Sequence, residues 1–277
     1  MKVWITTDLE GVSGVNGRGD GIGNKTINTE VACRLLTEEI NATVEGLIEG
    51  GAKEITVLDG HGGSNSIQIE ALHPAAKLTQ YGGGMTPTIS VNAGYDAALH
   101  LGAHAMMGVR DGFMNHTFNS HSVAGMWLND KAVGEIAIFA LYCACYGVPT
   151  ILVAGDRAAC REALDFLGQV ETVETKIALS RYTVINENPA KVRVALREKA
   201  KLALQHKTSM PIRMIPPPYA LKIQLMCPNQ ADTLEMWGAK RLDHQTVLYE
   251  GNDFLDLWAQ NNGWAPGVLK KIGGTPN

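Results

Sequence analysis

The stretch KVWITTDLEGVSG (residues 2–14) decides how the rest of the chain is read. A β-rich apolar run from Val3 to Thr7 stops at Asp8, and glycines follow at Gly11 and Gly14. Such a run is a strand ending in a turn, here with two carboxylates, Asp8 and Glu10, just past its end. Like charges that close raise each other's pKa and destabilise the fold unless a basic side chain or a metal ion neutralises them.

The pattern repeats along the first half. NTEVACRLLTEEINATVEGLIEGG (28–51) sets Val31, Leu35, Leu36, Ile40, Val44, Leu47 and Ile48 at helical spacing, and Gly50 and Gly51 stop it. KEITVLDGHGG (53–63) reads as a second strand, ending at Asp59 and His61, and DAALHLGAHA (96–105) as a third, ending near His104. KAVGEIAIFALYCACYG (131–147) reads as a helix, VPTILVAGD (148–156) as a strand and RAACREALDFLG (157–168) as a helix, with Asp156 as its N-cap. Strands alternating with helices predict an α/β fold, a mostly parallel sheet with helices on both faces. Ligands of such sheets gather beyond the carboxyl ends of the strands. Asp8, Glu10, Asp59, His61 and His104 all fall there.

The character changes near residue 178. NPAKVRVALREKAKLALQH (188–206) is a long helix with Pro189 in its first turn, and MPIRMIPPP (210–218) is a stiff connector. YALKIQLMC, NQADTLEMW, QTVLYEG and NDFLDLWAQNNGW then read as strand, helix, strand and helix. The expectation is a metal-binding α/β catalytic domain over 1–178 and a smaller α+β domain over 179–277, the latter a candidate for oligomer contacts. Trp237, Trp258 and Trp264 are expected to pack its core.

Bulk composition narrows the function classes. The 277 residues carry a net charge of −4, with 45% hydrophobic and 19% charged residues, which gives no reason to expect nucleic acid or an anionic membrane as partner. The N-terminus lacks the long apolar segment of a secretory signal, and no run reaches the ~18 apolar residues of a membrane span. Five cysteines without a C-x-x-C pair point to small buried residues in a reduced, cytoplasmic chain rather than to a thiolate metal site. The six-glycine loop at 11–26 fits neither phosphate-binding pattern and is expected to be a flexible flap beside the carboxylates.

Glu135 is the most informative single residue, a carboxylate in an otherwise apolar helix where burial demands a partner. It stands either in the first turn, favoured by the helix dipole, or aimed into the cluster at the strand ends. His61, among glycines, and His104, at the end of an apolar run, are the histidines best placed to join it; His100 reads as packing. Two histidines and three carboxylates without thiolate suit zinc, with manganese or cobalt as substitutes. Five ligands exceed what one catalytic zinc takes, so two metals sharing a carboxylate fit better. Such a pair would acidify a bridging water and polarise a carbonyl.

The segments MKVWITTDLEGVSGV, ITVLDGHGGSN, LHLGAHA, GFMNHT and WLNDKAVGEIAIFALYCACYGVPTILVAGD resemble, in this order, the D-aminopeptidase family of zinc metallopeptidases, and the likeness continues to about residue 210. The resemblance implies two zinc ions per subunit, with Asp8 bridging, Glu10 and His104 completing one site, and His61 and Glu135 the other. It implies that His116 of MNHT is the catalytic histidine, which Met114 and Thr117 favour over His121. It also implies a self-compartmentalising homo-oligomer, a decamer of two stacked pentamers. The reaction implied is removal of the N-terminal residue of short peptides, D-residue peptides by family likeness, through a metal-bridged hydroxide. His116 would stabilise the oxyanion or carry a proton to the leaving amine. Alternatives are the same chemistry on L-peptides, a dinuclear phosphoesterase, for which only Arg110 stands near the ligand motifs after Arg18, and a purely structural metal site.

Overall fold

A computed structural model describes residues 1–16, 29–81 and 87–274. The chain begins β1 (Lys2–Thr7), α1 (Thr29–Glu49), β2 (Glu54–Asp59), β3 (Ala76–Thr79) and β4 (Ala97–Ala103). It continues β5 (Val123–Leu128), β6 (Lys131–Ala132), α2 (Glu135–Cys145), β7 (Thr150–Asp156) and α3 (Arg157–Leu167). After β8 (Glu171–Ser180) and β9 (Thr183–Asn186) come α4 (Pro189–Gln205), β10 (Tyr219–Leu225) and α5 (Pro228–Met236). The two-residue β11 (Lys240–Arg241), then β12 (Thr246–Gly251), α6 (Phe254–Asn261) and α7 (Val268–Gly273), close it.

Seven strands form one sheet in the order β3-β2-β1-β4-β7-β8-β9, parallel except for the β8–β9 hairpin. Successive side chains of a strand point to opposite faces, so β1 feeds two cores. Val3 and Ile5 join Leu36, Ile40 and Val44 of α1 and Val192 and Leu196 of α4. Trp4, between them, joins Ile138, Leu141 and Tyr142 of α2. Helices therefore cover both faces, as the alternation of strands and helices predicts. Strand order runs outward in one direction from β1 and in the other from β4, so the switch point lies between those two strands. A crevice opens there for ligands. Asp156 caps α3 by accepting from Ala159 N at 2.7 Å.

A second, antiparallel sheet has the order β11-β12-β10-β5-β6. It does not keep to one side of residue 178, since β5 pairs with β10, while α4 packs on α1 of the first layer. The expected 131–147 helix starts only at Glu135, because Lys131 and Ala132 pair with β5. The expected core tryptophans divide: Trp258 is buried, Trp264 is half-buried, and Trp237, just past the end of α5, is 42% exposed. All five cysteines are free. Among the described residues no helix is long and apolar enough to cross a membrane. Of the expected glycine flap, residues 17 to 26 lie outside the described residues.

Candidate metal centre

The register of the parallel strands brings the candidate ligands level. Thr7 pairs with Asp59 on one side and Leu101 on the other, so the residues just past β1, β2 and β4 emerge together. Asp8 N donates to Leu101 O and Gly11 N to Gly102 O, both at 2.8 Å, which folds the turn after β1 against β4. Backbone approach is tight enough that a Cβ on Gly102, whose φ is +68°, would strike the Asp8 carbonyl. α2 begins with Glu135, so its first turn presents this carboxylate to the same crevice. Both positions proposed for Glu135 from the sequence are thus met by one placement.

The gathered atoms are close and buried. His104 Nε2 lies 3.1 Å from Asp8 Oδ2 and 3.3 Å from Glu135 Oε1. His61 Nε2 lies 3.5 Å from Glu10 Oε1, and His116 Nε2 lies 4.0 Å from Glu135 Oε1. The His104 and His116 rings stack at 3.9 Å. Ligand atoms of Asp8, Glu10 and His104 fall within 4.8 Å of one another, as do those of His104, His116 and Glu135. The first trio is one of the two sets implied by the family resemblance. The other set is not gathered in the same way: His61 faces Glu10, and Glu135 faces His104.

The donor chemistry fits a cation. Asp8 and Glu10 are buried and the Glu135 side chain is only 12% exposed, and among the described residues no lysine or arginine side chain pairs with them. Glu10 Oε2 and His104 Nε2 have no hydrogen-bond partner despite being buried. His104 Nδ1 donates to Ala105 O at 3.0 Å and His116 Nδ1 to Met114 O at 2.9 Å. A carbonyl only accepts, so each Nδ1 carries a proton, which leaves each Nε2 as the ring nitrogen that would give its lone pair to a cation. His61 Nδ1 meets Ser66 Oγ at 3.0 Å. The Asp59 carboxylate accepts from Ser66 N and Ile67 N and so fixes the loop that carries Ser66.

Without a cation the cluster balances its charge with protons. Burial, together with the charges of Glu10 and Glu135, pushes Asp8 up to about 7 against the pull of His104. Burial would raise Glu10 too, but His61 and His104 hold it well below its ordinary value. Glu135 is lowered by His104 and His116 despite burial. His61 is raised to about 9, its contacts with Glu10 outweighing burial, whereas burial and neighbouring His104 lower His116.

His116 stands on a constrained loop. Met114 and Phe118 both have positive φ, 45° and 59°, uncommon for residues with large side chains. The loop is tied down by Phe113 N to Asp156 Oδ2 at 2.6 Å, Met114 N to Arg181 O at 2.9 Å and Phe118 N to Glu135 Oε1 at 2.7 Å. His121 is exposed and belongs to neither ligand group, although it lines the same cavity. That cavity has a volume of ≈ 400 Å³, and Asp8, Glu10, His61, His116, Glu135 and Arg181 line it. Arg181 was not found from the sequence; it lies between β8 and β9, far along the chain from every ligand motif. Arg110, the arginine that stands near the ligand motifs in the sequence after Arg18, is exposed and is not among the residues lining this cavity.

Fold and site together describe an α/β protein with a buried carboxylate–histidine centre at the switch point of its sheet. The D-aminopeptidase family model matches residues 1–261. The D-aminopeptidase of Bacillus subtilis (strain 168) is 31% identical over 264 residues, 93% of this chain and 94% of the relative. A solved structure, the Zn-dependent D-aminopeptidase DppA from Bacillus subtilis, a self-compartmentalizing protease, has a TM-score of 0.85 and 29% identity; the match covers 99% of this chain and 98% of that one. The chain belongs to the D-aminopeptidase family, a family of peptide hydrolases.

Proposed function

We propose that this chain is a zinc-dependent aminopeptidase that removes the N-terminal residue of short peptides, with D-residue peptides as its substrates. The observation that carries the reading is the convergence of Asp8, Glu10, His104 and Glu135 at one buried point, with orphaned Glu10 Oε2 and His104 Nε2, in a chain of this family. Two zinc ions would be held by Asp8, Glu10, His61, His104 and Glu135, supplying Lewis-acid polarisation of the scissile carbonyl and a water acidified to near-neutral pKa.

The protein's own groups do the rest. His116, with Nδ1 fixed as donor to Met114 O, offers Nε2 as the atom that takes a proton and returns it to the leaving amine. Gly60 and Gly62 line the cavity and allow a peptide backbone to come close. Arg181 is the only lysine or arginine among the described lining residues, and no carboxylate pairs with it among the described residues. Its charge suits the C-terminal carboxylate of a short peptide. A phosphate would be drawn by the same arginine, but one arginine is a thin clamp for a phosphoryl group. The chain's relationship to a self-compartmentalizing protease supports a homo-oligomer here; its form as a decamer of stacked pentamers is carried over from the family resemblance alone. Exposed apolar side chains such as Met236 (79%) and Leu179 (63%) provide surface for such contacts.

Turnover of paired D-alanine and L-alanine amides, before and after chelation and zinc re-addition, tests this reading. Chelator-sensitive release from the D-amide is expected. Release from the L-amide alone would overturn the stereochemistry, and turnover of a phosphomonoester with neither amide cleaved would overturn the peptidase.

A further inference from the structure

A second cavity, ≈ 680 Å³ in volume, adjoins the metal-centre cavity and shares Gly60, Gly62, Phe118, Asn119 and Glu135 with it. Its far wall belongs to the antiparallel sheet and to α5 and α6. Apolar groups from that wall, Leu225, Leu234, Trp237 and Trp258, join Phe139 of α2, beside the uncharged polar Gln230 and Thr233 of α5. Among its described lining residues there is no lysine, arginine, histidine or aspartate, and the one carboxylate is Glu135 at the junction. Phe118 ties the two spaces together. Its backbone N–H donates to Glu135 Oε1 at 2.7 Å, while its ring lies 5.8 Å from that of Phe139 and 5.2 Å from that of Trp258. Phe118 holds this place in a left-handed conformation (φ 59°), a strain kept where surrounding structure fixes it.

We infer that this second cavity is the side-chain subsite for a large, uncharged, apolar substrate residue flanking the scissile bond, leucine- or phenylalanine-like rather than alanine-like. The inference rests on the aminopeptidase reading above and adds its substrate class. Continuity with the metal centre makes the occupant part of the substrate rather than a separate ligand. A methyl group would leave nearly the whole space to water against apolar walls, whereas a leucyl or benzyl group exchanges that water for contact. A charged side chain would lose its hydration with no counter-ion to meet. Each added methylene in a fitted apolar pocket is worth ~10-fold or more in discrimination.

The test uses the zinc-loaded full chain with two substrate arms. In one, the amides of D-alanine, D-leucine, D-phenylalanine and D-glutamate are compared by kcat/KM, with the L-amides alongside. In the other, D-alanyl dipeptides carry alanine, leucine, phenylalanine or glutamate as the leaving residue. In one arm the leucine or phenylalanine substrate is expected at ~10-fold or more above alanine, with glutamate lowest; that arm shows which side of the bond occupies the cavity. Thr233→Trp, from a half-buried lining position, fills the cavity and is expected to cut the leucine-to-alanine ratio ~10-fold. Trp237→Ala, at an exposed lining residue, is expected to lower the same ratio and serves where Thr233→Trp does not fold. Alanine equal or better in both arms, glutamate equal to leucine, or a ratio unmoved by a folded variant overturns the subsite while leaving the aminopeptidase in place. No cleavage in either arm by zinc-loaded chain overturns the aminopeptidase reading and the subsite with it.

Discussion

Gly102→Ala perturbs the close approach of β4 to the turn after β1, directly behind two candidate ligands. Gly102 has φ +68°, and a Cβ there would meet the Asp8 carbonyl and lie 3.1 Å from Val12 Cγ2. The left-handed conformation costs an alanine ~1–2 kcal/mol. Overlap with a backbone carbonyl in a packed region adds ~1–3 kcal/mol, because the backbone has to move. The expected destabilisation of a few kcal/mol corresponds to a fall in Tm on the order of 10 °C for a chain of this size. Whichever strand moves carries a ligand, Asp8 or His104, so zinc affinity is expected to drop ~10-fold or more. Scanning calorimetry of metal-free and zinc-loaded protein, with a competitive zinc titration, reads both. Gly267→Ala is the control: φ there is +85° in the left-handed region but nothing lies within 4 Å of an added Cβ, so only the ~1–2 kcal/mol conformational cost is expected. Equal, small Tm shifts in the two variants with unchanged zinc affinity would refute the reasoning.

His116→Ala is expected to lower kcat ~10²–10⁴-fold with zinc content intact, whereas the exposed His121→Ala is not; the reverse in a steady-state assay would reassign the catalytic histidine. Glu39 is buried and pushed up by that burial from 4.5 to about 8, so its protonated form stabilises the fold below pH 4.5, and that contribution is lost as pH rises through 8. Glu39→Gln is accordingly expected to gain stability over the wild type steadily from pH 5 to pH 8.5 in urea titrations; a difference independent of pH would contradict this. Lys176 is fully buried, donating to Glu10 O at 2.8 Å and Val15 O at 2.6 Å with Nζ 4.6 Å from the Phe113 ring centroid. Lys176→Met leaves both carbonyls unpaired and is expected to cost ~3–5 kcal/mol; a loss below ~1 kcal/mol would show that the turn holds itself.

Most of the first sheet was legible because its strands are buried apolar runs that end in glycine or acid, and its helices keep a clean 3.6 spacing. β3 and β5 were not. β3 is four residues with no fully buried position, and VAGMWL of β5 is a short run whose partner, β10, lies almost a hundred residues onward. Long-range antiparallel pairing leaves no local mark, and for that reason a boundary at residue 178 looked natural in the sequence. At the site, Asp8, Glu10, His61 and His104 were readable because parallel register makes strand ends coincide, and Glu135 because an acid in an apolar helix needs a reason. Arg181 and the aromatic wall of the second cavity arise from juxtaposition alone. The pairing of His61 with Glu10 and of His104 with Glu135 is likewise a matter of side-chain geometry, invisible to spacing.

The central claim is a two-zinc centre on five named side chains. Anomalous diffraction at the zinc edge from crystals of the zinc-loaded chain tests it most directly. Two peaks per chain are predicted, both beside Asp8, with Glu10, His61, His104 and Glu135 as the remaining protein ligands. A single peak, or peaks away from Asp8, would contradict the account.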